Sequence, residues 1–438
     1  MDDLEITIVL KYNVPERGLT FNGLLRGLEK DRDTIMRSLI RAILQALENQ
    51  AMASYQESSP GRYIRNGRQP NLRKFLTSFG EVRYRLAQMT DRQTGAVFCP
   101  LAKRLRIIPY RQYQRESLEG VIGQAVHLSY RLAASETRRL LGHGPDKSTL
   151  HRHLQELAEV HGAWPTLKQR PFKFLMVDGT KVNLQERGRS LGSSELRWAL
   201  ASEDVGRPFS LVGFWVNRDW RSIRHELSRR LNYNRLRVLF SDGGPGIEEN
   251  LLSAQMDQQR CIWHGQRDFS FLLYADRVKG KTQKPLQELL DQNPLFHLQK
   301  ADLEALEPTD EPLVRKLVKA IRRSFRDLLK ALPADKYPKT RTYVENFSRQ
   351  AITFFDYWLD RQQWIPLTTN AIESSFSRVV NRIKRIGRRW SENGLMNWLA
   401  IAFRKILHPS MWASLWKQYL RLHRSLPLIS LKVEYRWI

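Results

Sequence analysis

Two short apolar runs, each closed by an aspartate and a glycine, constrain this chain more than any other feature. The first is Phe172-Lys173-Phe174-Leu175-Met176-Val177-Asp178-Gly179-Thr180; the second is Arg235-Leu236-Arg237-Val238-Leu239-Phe240-Ser241-Asp242 followed by Gly243. Apolar runs of this length bounded by turn signals read as buried strands, although periodicity alone does not exclude a buried helix. After the first run, Lys181-Val182-Asn183-Leu184 alternates polar and apolar. The chain is therefore expected to turn at Asp178 or Gly179 and continue as a second, half-exposed strand. Asp-Gly is also an ordinary turn pair that carries no chemistry. Two such ends change the balance: if the strands are neighbours in a mixed sheet, Asp178 and Asp242 can share a divalent cation. Two like charges that close are unfavourable without a cation or a proton between them.

Between the runs, Leu196–Ser202 and Phe209–Val216 read as strands around the turn Glu203-Asp204-Val205-Gly206. With the opening strand they form an antiparallel meander. A helix fits Ser222–Leu231. Beyond the second run comes Arg260-Cys261-Ile262-Trp263-His264. One Cys-x-x-His pair supplies half a zinc site at most, so packing near the active end of the sheet is the preferred reading. From 279 to 364 the pattern is helical throughout, an all-α insertion inside an α/β domain. A third carboxylate follows in Leu367-Thr368-Thr369-Asn370-Ala371-Ile372-Glu373-Ser374-Ser375-Phe376. Ile372, Phe376, Val379, Ile383 and Ile386 recur at helical spacing up to Gly387. At 100° per residue Glu373, Ser377 and Lys384 fall within about 40° of one another, away from that stripe. Two duties are open to Glu373. Asn370 three residues before it resembles a capping box, a purely structural role. The flank Arg378, Arg382, Lys384, Arg385, Arg388 and Arg389 instead fits a polyanion held beside the carboxylate.

Charge agrees with the second duty. Lys plus Arg number 72 and Asp plus Glu 45, a net +27, and a surplus that large points to nucleic acid, with a membrane surface the lesser alternative. No run of eighteen apolar residues exists and the start Met1-Asp2-Asp3-Leu4-Glu5 is acidic, so a cytoplasmic, non-membrane protein is expected. The two cysteines, Cys99 and Cys261, are too few for a disulfide scaffold.

The N-terminal part is expected to hold a strand at Leu4–Leu10 and an amphipathic helix carrying Ile35, Leu39, Ile43 and Leu47, with Met36, Ile40 and Leu44 widening its stripe, as core or a dimer contact. A basic link, Gly61–Pro70, follows. A β-hairpin unit then places Glu81–Leu86 and Ala96–Phe98 on either side of the turn Asp91–Gly95. Residues 130–157 read as a helix-turn-helix broken at Gly142-His143-Gly144-Pro145, with Lys147, Ser148, Thr149, His151, Arg152 and His153 facing out. In a major groove the polar first turn would meet base edges and Arg152 a phosphate. A glycine-joined helix pair is equally a plain packing unit. The remainder, 390–438, carries aromatic helices and a possible last strand at Ile429–Tyr435. The resulting segments are 1–70 helical, 71–110 β-hairpin unit, 111–165 helix-turn-helix, 166–278 first part of the α/β domain, 279–364 insertion, and 365–438 last helices.

Two Asp-ended strands, a helical insertion and a late glutamate form the layout of ribonuclease H-like nucleotidyl transferases. The sequence resembles DDE transposases of the Mutator-like superfamily, particularly the bacterial and archaeal insertion-sequence branches. The resemblance rests on Val177-Asp178-Gly179, Phe240-Ser241-Asp242-Gly243, Cys261-Ile262-Trp263-His264, Thr369-Asn370-Ala371-Ile372-Glu373-Ser374 and Trp390-Ser391-Glu392-Asn393-Gly394, and spans Phe172 to Leu399. It implies that Asp178, Asp242 and Glu373 bind two Mg²⁺, with Mn²⁺ able to substitute, and that Cys261, His264 and Asn370 support the site. Glu392, which sits in another family-like motif, competes with Glu373, and Asp204, on a turn after a sheet strand, is a second competitor. The implied reaction is cleavage at the ends of an insertion sequence and joining to target double-stranded DNA, without a covalent protein intermediate, by a dimer or larger assembly. A non-catalytic DNA-binding regulator and a structure-specific nuclease of the same fold are the alternatives.

Overall fold

The computed structural model describes residues 4–109, 112–186, 188–278, 280–386, 390–420, 430–432 and 434. The chain divides into two compact units, one of residues 1–161 and 408–438, the other of residues 162–407.

The first unit begins with α1 (Phe21–Ser58), opened by the Thr20 hydroxyl accepting from the Gly23 N–H at 3.1 Å. Its predicted stripe is used in part: Ile40, Leu44 and Leu47 pack on a core of Phe75, Val82, Tyr84, Leu86 and Leu101. Two small antiparallel sheets lie in this region, and the strand residues of that core come from the two-stranded one. In one, β1 (Tyr63–Arg68), β4 (Ala87–Asp91) and β5 (Val97–Phe98) pair in the order β1-β4-β5; in the other, β2 (Arg73–Thr77) pairs with β3 (Gly80–Tyr84). Three expectations are corrected here. Leu4–Leu10 forms no strand. The basic link Gly61–Pro70 contains β1, because its backbone is needed as the outer partner of β4. Across the turn Asp91–Gly95, Val97 and Phe98 pair with Thr90 and Met89, while residues 80–84 turn back on β2. A short α2 (Pro100–Arg104) closes this region.

Next come α3 (Arg115–Ala125), α4 (Tyr130–Leu141) and α5 (Lys147–His161), which pack pairwise on one another. Ser129 caps α4, and Gly142 ends it at φ +71°, a left-handed backbone that glycine adopts without a Cβ penalty. Asp146 starts α5 by accepting from the Thr149 N–H at 2.7 Å.

The second unit is built on one five-stranded sheet. Its strands are β6 (Phe174–Glu186), β7 (Arg189–Ser202), β8 (Ser210–Val216), β9 (Val238–Ser241) and β10 (Asp257–Arg260), in the spatial order β10-β9-β6-β7-β8. The first three form the expected meander, while β6, β9 and β10 run parallel. The crossover from β8 to β9 carries α6 (Trp220–Arg230), and α7 (Ile247–Leu251) joins β9 to β10. Leu175, Val177, Ala199, Val212, Ile223, Leu227, Leu239 and Leu251 form one core beneath these helices. The turn expected at Asp178 or Gly179 is absent. β6 runs straight through both residues, held to β7 by continuous pairing from Phe174↔Ser202 to Leu184↔Gly192, and that long ladder outweighs the turn preference of one Asp-Gly pair.

After β10 the chain is helical: α8 (Ile262–Ala275), α9 (Gln283–Asp291), α10 (Lys300–Glu304), α11 (Glu311–Lys330), α12 (Pro338–Gln350) and α13 (Thr353–Arg361). Gln259 on β10 pins this insertion, donating to the Ala351 carbonyl at 3.2 Å and accepting from the Phe354 N–H at 2.8 Å. Gly265 lets α8 approach α12, since a Cβ there would lie 2.0 Å from the Phe347 ring. Then come α14 (Asn370–Val380), a π-helical turn over Asn381–Arg385, and α15 (Glu392–Leu407). The chain returns to the first unit with α16 (Pro409–Leu420), so the segment 365–438 is shared between the two units. Gly387, Arg388 and Arg389 lie outside the described residues; of the stretch Ile429–Tyr435 residues 430–432 and 434 are described and are not strand, and the other three lie outside. Among the described residues no helix is long and apolar enough to cross a membrane.

Candidate active site

β6 is buried on both faces from Phe174 to Val177, then alternates from Asp178 onward. The change marks where β9 stops. Registered β6–β9 pairing ends at Met176↔Phe240, and Asp178 and Asp242 each lie two residues further. Both therefore lie at the end where this pairing stops, Asp178 on β6 and Asp242 in the turn just past β9. Asp242 is fixed by its own turn: its Oδ1 accepts from the Gly244 N–H at 2.9 Å, and its carbonyl accepts from Arg260 at 3.1 Å. Gly243 between them has φ +82°, and a Cβ there would lie 2.1 Å from the Arg260 guanidinium. Only glycine satisfies both demands.

Asp178 Oδ1 accepts from the Gly179 N–H at 2.6 Å. Burial, then the negative charge of Asp242, push its carboxyl up to about 7 against the lowering effects of the Gly179 N–H and His264, and Glu373 adds the weakest raising effect. The field at Asp178 thus registers both other acidic residues singled out from the sequence.

Glu373 is delivered by packing. Trp198 is the β7 residue opposite Asp178, and Phe376 on α14 stacks on it with centroids 4.2 Å apart and planes 17° from parallel. Glu373 lies one turn before Phe376. The capping box with Asn370 is corrected: Thr369 takes the N-cap position, and its hydroxyl donates to Glu373 Oε1 at 3.0 Å. Asn370 is an exposed first-turn residue.

Cys261 caps α8, and His264 lies three residues on, so both face α14. His264 Nδ1 is 3.8 Å from Glu373 Oε1. Burial opposes ionisation of Cys261, but hydrogen bonds with His264 and Thr369 hold its thiol below the ordinary range. Burial likewise opposes a charged His264, and its contact with Cys261 raises it nonetheless.

The competitors for acidic positions lie elsewhere. Asp204 accepts from Lys173 Nζ at 2.5 Å at the other end of β6. Glu392 follows Trp390, which bridges Leu184, six residues and about 20 Å along β6 from Asp178.

The basic flank is divided. Arg378, Lys384 and Arg385 are exposed; Lys384 Nζ donates to Thr180 Oγ1 at 2.6 Å, two residues from Asp178. Arg382 does not face outward. It is 4% exposed, with its guanidinium 4.7 Å from the Trp390 ring and 5.7 Å from that of Trp398. It lies in the π-helical turn over Asn381–Arg385 and donates to the Ile386 carbonyl at 2.8 Å. Sequence reasoning missed Thr369, Thr180 and the Trp198–Phe376 stack, none of which has a spacing signature. It also passed over exposed Trp263 with Arg267 stacked 5.2 Å from it.

In the first unit, Lys147, Ser148, His151 and Arg152 are exposed on α5 and Thr149 is half-buried. His153 is buried, with Nδ1 3.3 Å from Glu156, and His143 Nε2 contacts the Thr77 carbonyl at 3.1 Å. His153 is therefore a packing group that does not face out, and His143 is a half-buried loop residue tied to that carbonyl.

No curated protein matches this sequence. The family model described as "Transposase, Mutator family" matches residues 22–400. That span takes in α1, the α3–α5 helices and the whole convergence of β6, β9, α8 and α14, and the chain belongs to the Mutator family of transposases.

Proposed function

We propose that the protein is a DDE transposase with a ribonuclease H-like catalytic unit, cleaving the DNA ends of an insertion sequence and joining them to target DNA. The observation that carries this is the convergence of Asp178, Asp242 and Glu373 from two adjacent parallel strands and one helix. The strand order β10-β9-β6-β7-β8, with one antiparallel meander and two parallel strands, supports the fold assignment.

Three carboxylates are hard oxygen donors suited to Mg²⁺ or Mn²⁺. Burial first, and then the charge of Asp242, raise Asp178, and a cation held between the carboxylates would relieve both. Divalent cations bound there would activate the attacking oxygen and stabilise the leaving one. The protein's own groups then have distinct duties. The rigid β6–β9 pair holds two acidic groups in register, and the Trp198–Phe376 stack sets the third. Thr369 orients the Glu373 carboxylate. Lys384, Arg378 and Arg385 hold DNA phosphates beside it. In the first unit α5 enters a major groove through Lys147, Ser148, Thr149, His151 and Arg152, and paired ends are held by a dimer or larger assembly.

The test compares wild type with Asp178→Asn, Asp242→Asn and Glu373→Gln on end DNA in Mg²⁺. Binding is expected to persist while cleavage and joining disappear. Cleavage by all three variants would overturn the catalytic assignment. Binding by a wild type that cuts no end sequence would identify a regulator, and cutting without joined products a nuclease.

A further inference from the structure

We propose that Cys261, His264 and Glu373 form a second cation site, selective for a thiophilic divalent ion of the zinc class and sharing Glu373 with the Asp178–Asp242 pair. The binding claim stands on the three side chains alone; its regulatory consequence rests on the catalytic reading above.

The donor atoms of the three residues all lie within 4.8 Å of one another. His264 Nδ1 and Glu373 Oε1 are 3.8 Å apart, too far for a hydrogen bond. Two ligands of one tetrahedral zinc, with bonds of about 2.0–2.3 Å, lie roughly 3.3–3.6 Å apart, so a small contraction closes the site. The His264 side chain is 8% exposed, and its Nδ1 is buried with no oxygen or nitrogen in hydrogen-bond geometry, the Cys261 thiol being the polar neighbour of the ring. An unsatisfied buried polar atom costs about 1–3 kcal/mol, and a metal bond at that nitrogen would remove the cost.

Rigid elements hold the donors. Cys261 caps α8 with His264 in its first turn, and Thr369 caps α14 with Glu373 in its first turn. The two helix starts are tied where the Ile262 N–H donates to the Leu367 carbonyl at 3.2 Å. Thr369 donates to Glu373 Oε1 at 3.0 Å and would act as an outer-shell support that fixes the carboxylate. Chemistry sets the selectivity. A thiolate, an imidazole and a carboxylate carry two negative charges and prefer zinc or cobalt over Mg²⁺, which favours oxygen donors. Three protein ligands leave a fourth position open. The consequence is competition: a thiophilic ion that engages Glu373 draws it away from Asp178 and Asp242. Zinc should then inhibit Mg²⁺-dependent cleavage, and excess Mg²⁺ should relieve the inhibition.

The experiment uses full-length Cys99→Ser protein, in which Cys261 is the only thiol, titrated with Co²⁺. One equivalent should produce a thiolate-to-cobalt band in the near ultraviolet and four-coordinate visible bands. His264→Ala and Glu373→Gln in that background should weaken binding by about 100-fold or more, while Asp178→Asn keeps the band. Circular dichroism checks that each variant folds. If His264→Ala does not fold, Cys261→Asp in the same background replaces it, and should keep cobalt binding but lose the thiolate band. Absence of the band in Cys99→Ser, or its survival unweakened in His264→Ala and Glu373→Gln, overturns the proposal. A band in a protein that never cleaves end DNA would leave this site standing and defeat the transposase reading alone. Cleavage that depends on Asp178, with no cobalt band, would do the reverse.

Discussion

Glu48 in the first unit and Asp178 in the second are both carboxylates set among apolar side chains, and they are treated in opposite ways. Glu48 is fully buried with both oxygens occupied: Tyr84 donates at 2.8 Å, the Ala87 N–H at 2.7 Å, and Arg68 lies 3.0 Å away. It bolts α1 to β3 and β4. Asp178 has the neighbouring Gly179 N–H and two other acidic residues in its field. A buried charge that is satisfied belongs to the fold; one left crowded by like charges is a cost the fold alone does not require.

The largest expected effect that tests this contrast is at Asp178. Asp178→Asn should lower cleavage by about 10³-fold or more, since it removes a metal ligand. It should leave the metal-free protein as stable as wild type or more so, because repulsion is relieved. A large loss of stability in denaturant titration would instead make Asp178 structural. Glu48→Ala should do the converse, costing about 3 kcal/mol of stability in the first unit, read by urea unfolding, because Tyr84 and the Ala87 N–H lose a charged acceptor. Phe376→Leu should cost about 1–2 kcal/mol through the lost stack and reduce cleavage more than DNA binding, since only the placement of Glu373 depends on it.

The smallest effect is in pH dependence. The Asp178 carboxyl is raised in the folded state to about 7. Its protonated form therefore favours folding at pH below about 4, and that contribution is lost as pH rises through 7, on the order of 1 kcal/mol after solvent screening. Metal-free wild type should lose stability over that window relative to Asp178→Asn. Asp91 in the first unit gives the opposite sign. Hydrogen bonding to Arg62, at 2.8 and 3.0 Å, holds it down to about 2. Its contribution is present above about pH 4 and lost as pH falls through 2, and Asp91→Asn should flatten that acid limb.

Much of the second unit was legible because buried parallel strands write themselves as continuous apolar runs. Phe174–Val177 and Val238–Ser241 could be found that way, while the meander showed in its turn residues and the helices in their pattern. The boundaries failed where pairing between distant strands decided them. Nothing near Asp178 signals that Ser190–Leu196 will carry β6 through its Asp-Gly pair, and nothing near Arg62 signals that β4 needs an outer partner. Arg382 was misplaced for a related reason. A stretch dense in positive charge does not signal that Trp390 and Trp398, further along the chain, will take in one of its guanidinium groups.

The sequence by itself determined which chemical groups exist and roughly where strands and helices begin: two Asp-Gly ends, a Cys-x-x-His pair, and a glutamate on a basic helix. Tertiary structure alone decided their company. It set Asp178 level with Asp242 through strand register, brought Glu373 in through an aromatic stack, and faced His264 toward that same carboxylate. The physical reason is that a side chain's identity is local, whereas its field and its partners come from residues tens to hundreds of positions away.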